Sequence, residues 1–175
     1  MISRHLDSRR RRKLSYTSLS LEIDHNIEQL RSMLRAVGNK RAHLIPKLHL
    51  TLSTRAWERI AESDLLTNLS EEDLSLIAPL SWYVDWLSSV IDEELNADTV
   101  IPELMPVLEV MIRFAEISSR GAKNWLDMKL GRIDSKTFET NRTRILAEMA
   151  EQRRHHEVII SKTFGQGAIP EMHQE

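Results

Sequence analysis

The chain has 175 residues, of which 41% are hydrophobic and 29% charged, with no cysteine and only five glycines and five prolines. This composition excludes a disulfide framework, a thiolate metal site and a disordered polymer, and the scarcity of turn residues favours helices over a β fold. The net charge of −2 is unevenly placed, since residues 1–13 carry six basic side chains against a single acid, Asp7.

The longest uncharged run of the chain, residues 74–84, is too short to span a bilayer, because a membrane-spanning helix needs about 20 apolar residues. No apolar segment follows the basic start, so this start is not typical of a secretory signal. We therefore expect a cytoplasmic protein, with peripheral attachment to a membrane left open as an alternative.

The first predicted helix spans residues 16–37. Gly38 follows it directly and predicts a left-handed C-terminal cap. The domain organisation that follows is a flexible basic arm over 1–15, a single helical domain over 16–163 and a flexible tail over 164–175. The core stripe of this first helix repeats every three or four residues and consists of Tyr16, Leu19, Ile23, Ile27, Leu30, Leu34 and Val37.

An extended connector is predicted after Gly38, followed by a short helix that Ser53 or Thr54 caps. A long third helix then starts at the capping residue Ser70, and Val84 belongs to its core stripe.

Two tryptophans of the third helix, Trp82 and Trp86, lie on the face opposite its core stripe. A helix that is apolar on two faces is either central in the fold or in contact with a partner. Both interpretations stay open, and Trp82 and Trp86 are the candidate partner interface because tryptophan is enriched in interface hot spots.

The last two predicted helices run from near Asp98 to Leu130 and over residues 135–160. Gly131 ends the first of them and Asp134 caps the second, so the short turn predicts an antiparallel hairpin. The fold class is therefore all-α: a bundle of about four long helices, with short helical turns between the first and third and an antiparallel C-terminal hairpin. The later core stripe of the fourth helix is built from small residues: Ala115, Ser118 and Ala122.

Residues 19–96 resemble a helical module of uncharacterised prokaryotic proteins. In that module an acid-x-x-x-Asn step on a first helix leads through a connector into a Thr-x-x-Trp turn, a Leu-rich turn and a long helix with a Tyr. Such modules often follow a single N-terminal membrane helix, and the resemblance implies no activity. The matching residues here are Glu22, Asn26, Thr54, Trp57, Leu65, Leu66, Leu69 and Tyr83.

Candidate metal ligands are few. Glu22 and His25 have the Glu-x-x-His spacing of di-iron bundles, but a second such motif is absent and both side chains are predicted to face solvent. His155 and His156 are adjacent and diverge by about 100° on a helix, and His156 falls on the core stripe. We expect no metal and no cofactor.

No catalytic constellation is found either. The chain lacks a cysteine nucleophile, a Gly-x-Ser-x-Gly turn and a glycine-rich phosphate loop before a helix. We therefore expect a protein that is not an enzyme.

The arginine run near the start is the strongest candidate for binding. Arg9, Arg10, Arg11, Arg12 and Lys13 can contact the phosphates of anionic lipid or of nucleic acid, although no interleaved aromatic supports stacking on single strands. A disordered solubilising arm is the alternative without a function. The sequence predicts a non-enzymatic interaction or assembly module, with a protein or a second copy as partner, that docks to an anionic surface. The alternative is a nucleic-acid-associated accessory protein.

Overall fold

The computed structural model describes residues 2–39, 52–56, 58, 84–89 and 105–164. Within these residues the secondary structure is helical and contains no strand, which confirms the all-α class. Three long helices account for most of it: α1 (Ile2–Gly38), α2 (Met105–Lys129) and α3 (Ser135–Phe164). Residues 55–56, 58 and 84–89 are also helical.

Helices α1 and α2 pack against each other in antiparallel orientation. Near one end of the pair, the ring of Tyr16 lies edge-on to that of Trp125, with centroids 5.5 Å apart. Fifteen residues further along α1, Arg31 pairs with Glu116 on the preceding turns of α2. The two helices therefore run in opposite directions along their shared interface.

The predicted antiparallel hairpin of α2 and α3 is confirmed. Asn124 donates a hydrogen bond to the carbonyl of Phe138 beside the turn, whereas Phe114 contacts His156 far from it. Residues near the turn on α2 therefore contact residues near the turn on α3, and distant residues contact distant ones, as in a helical hairpin.

The turn between α2 and α3 has the chemistry that the sequence predicts. Gly131 has a φ of 71°, and the amides of Gly131 and Arg132 close back on the carbonyls of Met128 and Asp127 at 3.0 and 2.8 Å. This is the Schellman arrangement for a helix C-terminus. Asp134 then caps α3 by accepting a 2.7 Å hydrogen bond from the amide of Thr137.

The core consists of two clusters that share α1 and α2, so α2 is the central helix of the described structure. Six consecutive residues of α2, 114–119, are buried, which requires neighbours on all sides of the helix. The small residues predicted on its stripe are all buried. The first cluster contains Leu19, Ile23, Ile27, Ala56, Val84, Ala122, Trp125, Leu126 and Phe138. The second contains Leu30, Met33, Ala36, Val37, Leu87, Leu108, Ile112 and Ala115.

Two local predictions for α1 are wrong. The helix begins at Ile2 rather than near Tyr16, so the basic arm forms further turns of α1. The spacing of apolar residues identifies the helical turns that pack against the core. It does not identify helical turns that extend beyond the core. Gly38 is the last helical residue and does not adopt the left-handed conformation, while the Asn39 amide still bonds the carbonyl of Arg35 at 3.1 Å.

Several predicted features lie outside the described residues. They are most of the extended connector, Trp57, the capping box at Ser70, Trp82, the helix start near Asp98, the tail after residue 164, and the resemblance residues Leu65, Leu66, Leu69 and Tyr83.

Candidate functional site

The arginine run lies at the end of the bundle that carries the hairpin turn. Because Tyr16 contacts Trp125 near the end of α2 and the helices are antiparallel, the residues of α1 that precede Tyr16 lie toward the end of the bundle where α2 ends. From Arg12, α1 continues through ten more residues to Ile2, about 15 Å of helix at 1.5 Å per residue. We call residues 2–13 of α1 the basic extension.

All five cations of the run, residues 9–13, are exposed. Successive residues of an α-helix are 100° apart, so these side chains are distributed around the whole circumference of α1. Among the described residues, no acidic side chain forms an ion pair with any of them. Their charge is therefore not neutralised within the described part of the chain.

Three further cations lie at the turn between α2 and α3. Lys129 stands 5.4 Å from the ring of Trp125, Arg132 hydrogen-bonds Ser20 at 2.8 Å, and Lys136 is exposed on the first turn of α3. Arg132 is itself paired with Asp127, which also pairs with Lys123. We call the basic extension together with Lys129, Arg132 and Lys136 the basic end.

A second charged site joins the three helices near their middle. The carboxylate of Glu116, whose side chain is only 12% exposed, accepts hydrogen bonds from Arg31 of α1 at 3.1 Å and from Arg120 at 3.0 Å. Arg120 in turn donates to Glu148 of α3, which Arg144 approaches at 3.9 Å. We call Arg31, Glu116, Arg120 and Glu148 the ion-pair network.

Mutual attraction sets the protonation of the network. Burial by itself would lower the pKa of the Arg120 guanidinium, but its hydrogen bond to Glu148 and the charges of Glu116 and Glu148 outweigh burial and raise the pKa. The hydrogen bond from Arg120 lowers the pKa of Glu148 against the opposing effect of burial. Arg120 and Glu148 therefore both stay charged at neutral pH.

A cavity of about 590 Å³ opens beside the network between the three helices. Because its charged lining is balanced between arginines and glutamates, and Glu116 and Arg120 are engaged with each other, it has no excess charge to attract an ionic substrate. The charged side chains are Arg113, Arg120, Arg154, Glu116, Glu148 and Glu151.

Glu22 and Asn26 of α1 form hydrogen bonds with residues 53–56, which follow the predicted connector. Glu22 accepts hydrogen bonds from the Ser53 hydroxyl at 2.8 Å and from the Ala56 amide at 2.7 Å. Asn26 both donates to the Ser53 carbonyl and accepts from the Ser53 amide, at 2.8 and 2.9 Å. The prediction that Glu22 faces solvent is therefore wrong, because its carboxylate caps the helical turn that starts at Arg55.

The remaining candidate residues are placed as follows. His25 is exposed, and His156 is partly buried with its ring edge-on to Phe114 at 5.9 Å. Trp86 is partly buried and packs against the second core cluster. In the described ranges no three His, Asp or Glu side chains are grouped as metal ligands. No described helix combines the length and apolar character that crossing a bilayer requires.

The ion-pair network is not among the sites that the sequence predicts. One signal was present, because Glu116 and Arg120 stand four residues apart within an otherwise apolar and small stretch of helix. The partners Arg31 and Glu148 lie 85 and 28 residues away in sequence, and helical periodicity does not pair residues across helices.

Comparison with known proteins adds no relative: no family model, curated protein or solved structure matches the chain.

Proposed function

We propose that the protein is a non-enzymatic helical interaction module that docks onto a phosphate-rich anionic partner through its basic end. A cytoplasmic location, where such partners are plentiful, belongs to the same proposal. The observation that carries it is the exposure of residues 9–13 without an acidic partner among the described residues. Unpaired exposed cations keep their full attraction for an external anion, whereas paired ones lose most of it.

The other charged groups support a structural role for the body of the bundle. Glu116 and Arg120 are engaged with each other and with neighbouring helices. Glu22 is engaged with backbone and hydroxyl groups at residues 53–56. Groups held in this way stabilise the body and leave external binding to the basic end.

The test uses inorganic polyphosphate as the probe. Deleting residues 2–13 is expected to abolish binding. It is expected to leave the melting temperature nearly unchanged, because residues 9–13, whose burial the structure describes, are all exposed. The wild type should lose affinity steeply between low and physiological salt. Arg153→Ala/Arg154→Ala, which removes two exposed cations of α3, is the control and should bind normally. Equal binding by the truncated protein would exclude the proposal.

A further inference from the structure

The distribution of charge around α1 distinguishes between kinds of anionic partner. Arg9, Arg10, Arg11 and Arg12 project in four directions, since each step turns by 100°. A flat surface touches one side of a helix, so it would use one or two of these cations and leave the others in solvent. A groove that receives the helix contacts both of its flanks, so it would use more of these cations than a flat surface does.

Over residues 9–21, where the structure describes the side chains, the exposed side of α1 does not have the apolar stripe of a helix that lies in a membrane interface. Leu14 and Leu21 are 62% and 63% exposed, but they stand two turns apart. The polar residues Thr17 and Ser18 lie between them, and Arg10 precedes Leu14 by four residues on the same face. This pattern disfavours a lipid surface as the partner.

The dimensions fit a nucleic-acid groove. An α-helix with its side chains is about 10–12 Å across, and the major groove of B-form DNA is about 12 Å wide with phosphates along both edges. The major groove of A-form RNA is too narrow to admit a helix.

We propose that the basic extension lies in the major groove of duplex DNA, where Arg9 to Lys13 contact phosphates on both edges. This inference rests on the proposed function and names the partner class. Because the contacts are to phosphates, binding is largely independent of base sequence.

The first experiment measures binding of the full-length protein to a short mixed-sequence DNA duplex. Five phosphate contacts give a slope of log K against log salt near −4.5, or about a 500-fold loss of affinity between 50 and 200 mM salt. Replacing any one of Arg9, Arg10, Arg11 or Arg12 by Ala is expected to weaken binding and to reduce the slope by about 0.9. Arg153→Ala should leave both unchanged. If only the substitutions on one side of the helix weaken binding, the helix does not lie in a groove.

The second experiment keeps every charge and breaks the helix. Leu14→Pro removes a backbone hydrogen bond and clashes with the preceding turn, which uncouples the basic extension from the bundle. We expect at least a tenfold loss of affinity for the duplex. The melting temperature should stay nearly unchanged, because the disrupted turn precedes Leu19, the first buried apolar residue among the described side chains of α1. Wild-type affinity of the Pro variant would overturn the inference, and Leu14→Ala is the matched control.

Vesicles of phosphatidylglycerol and phosphatidylcholine and a duplex RNA complete the comparison. Binding to DNA in preference to both supports the inference. Binding to the vesicles or to the RNA as strongly as to DNA overturns the inference and leaves the proposed function intact. Failure to bind any of the three, or polyphosphate, overturns both.

Discussion

The carboxylate of Glu116 accepts hydrogen bonds from arginines on two helices while nearly nine-tenths of its side chain is buried. Removing a charge from water is costly, and mutual attraction offsets that cost only while the partners are in place. Loss of one member therefore leaves the others partly buried and incompletely paired.

We expect Glu116→Gln to lower the free energy of unfolding by about 1–3 kcal/mol, because Arg31 and Arg120 lose a charged acceptor. Chemical denaturation measures this change. The control is Glu109→Gln, which removes a more exposed pair with Arg113 within α2 and should cost less than about 1 kcal/mol. Equal effects of the two changes would mean that burial of the network has no energetic consequence.

Glu148 should make stability depend on pH. Its pKa is lower in the folded protein than in the unfolded chain, so its contribution is fully present above the unfolded-state pKa of about 4.3. This contribution is lost as the pH falls through the lowered pKa. Denaturation midpoints between pH 6 and 3 should fall less steeply for Glu148→Gln than for the wild type. Glu157→Gln, an exposed change on the same helix, is the control, and identical profiles for all three proteins would contradict the assignment.

At the scale of whole elements, the sequence predicts the features that depend on residues close together in the chain, namely helix faces, turns and caps. The core stripe of α1, the turn at Gly131 and the cap at Asp134 are all found, because periodicity and capping depend on neighbours within a few residues. The start of α1 is missed because no packing marks it. The contacts of Glu22 are not predicted, because its hydrogen-bond partners lie 31 and 34 residues away in the sequence. The periodicity of one helix does not show which distant residues contact it.

Two glycines of the hairpin should respond oppositely to alanine. A methyl group at Gly121 would meet Ile145 at an ordinary contact distance of 3.7 Å, so Gly121→Ala should stabilise by about 0.5–1 kcal/mol through helix propensity. Gly131 has the left-handed φ of 71°, so Gly131→Ala should destabilise by about 1–2 kcal/mol. Thermal denaturation of both variants checks the signs, and the same sign for both would contradict the turn geometry.

The attachment of residues 53–56 to α1 should depend on Asn26. Asn26→Ala removes both hydrogen bonds to the Ser53 backbone and should cost about 2–3 kcal/mol, because two partly buried backbone groups lose their partners. Amide hydrogen exchange at Ser53 and Ala56 should accelerate in the variant. Ser32→Ala, whose hydroxyl bonds only within α1, should change stability by about 0.5 kcal/mol or less. An unchanged exchange rate at Ser53 would contradict this role of Asn26.

At the scale of the molecule, burial is concentrated on α2 and declines along α3. Residues 114–119 of α2 are all buried, whereas no described residue of α3 after Ile145 is fully buried. The second half of α3 is held by partial contacts such as that of His156 with Phe114. Stability is therefore unequal among the helices, as is general in proteins.

Native-state hydrogen exchange should reveal this inequality. We expect amides at residues 114–126 to exchange only with global unfolding, and those at residues 150–160 to exchange through local opening at lower free energy. Mild denaturant should then accelerate the first group strongly and the second group little. Uniform protection along α3 would contradict the prediction.

Helix α1 runs unbroken over 37 residues from the basic extension into both core clusters, a rod of about 55 Å. A partner that holds one end of such a rod fixes the direction in which the rest of the molecule points. On a duplex that direction rotates with position, through one full circle in about 10 base pairs. Copies bound half a turn apart would place their bundles on opposite sides of the duplex, and copies a full turn apart would align them on one side.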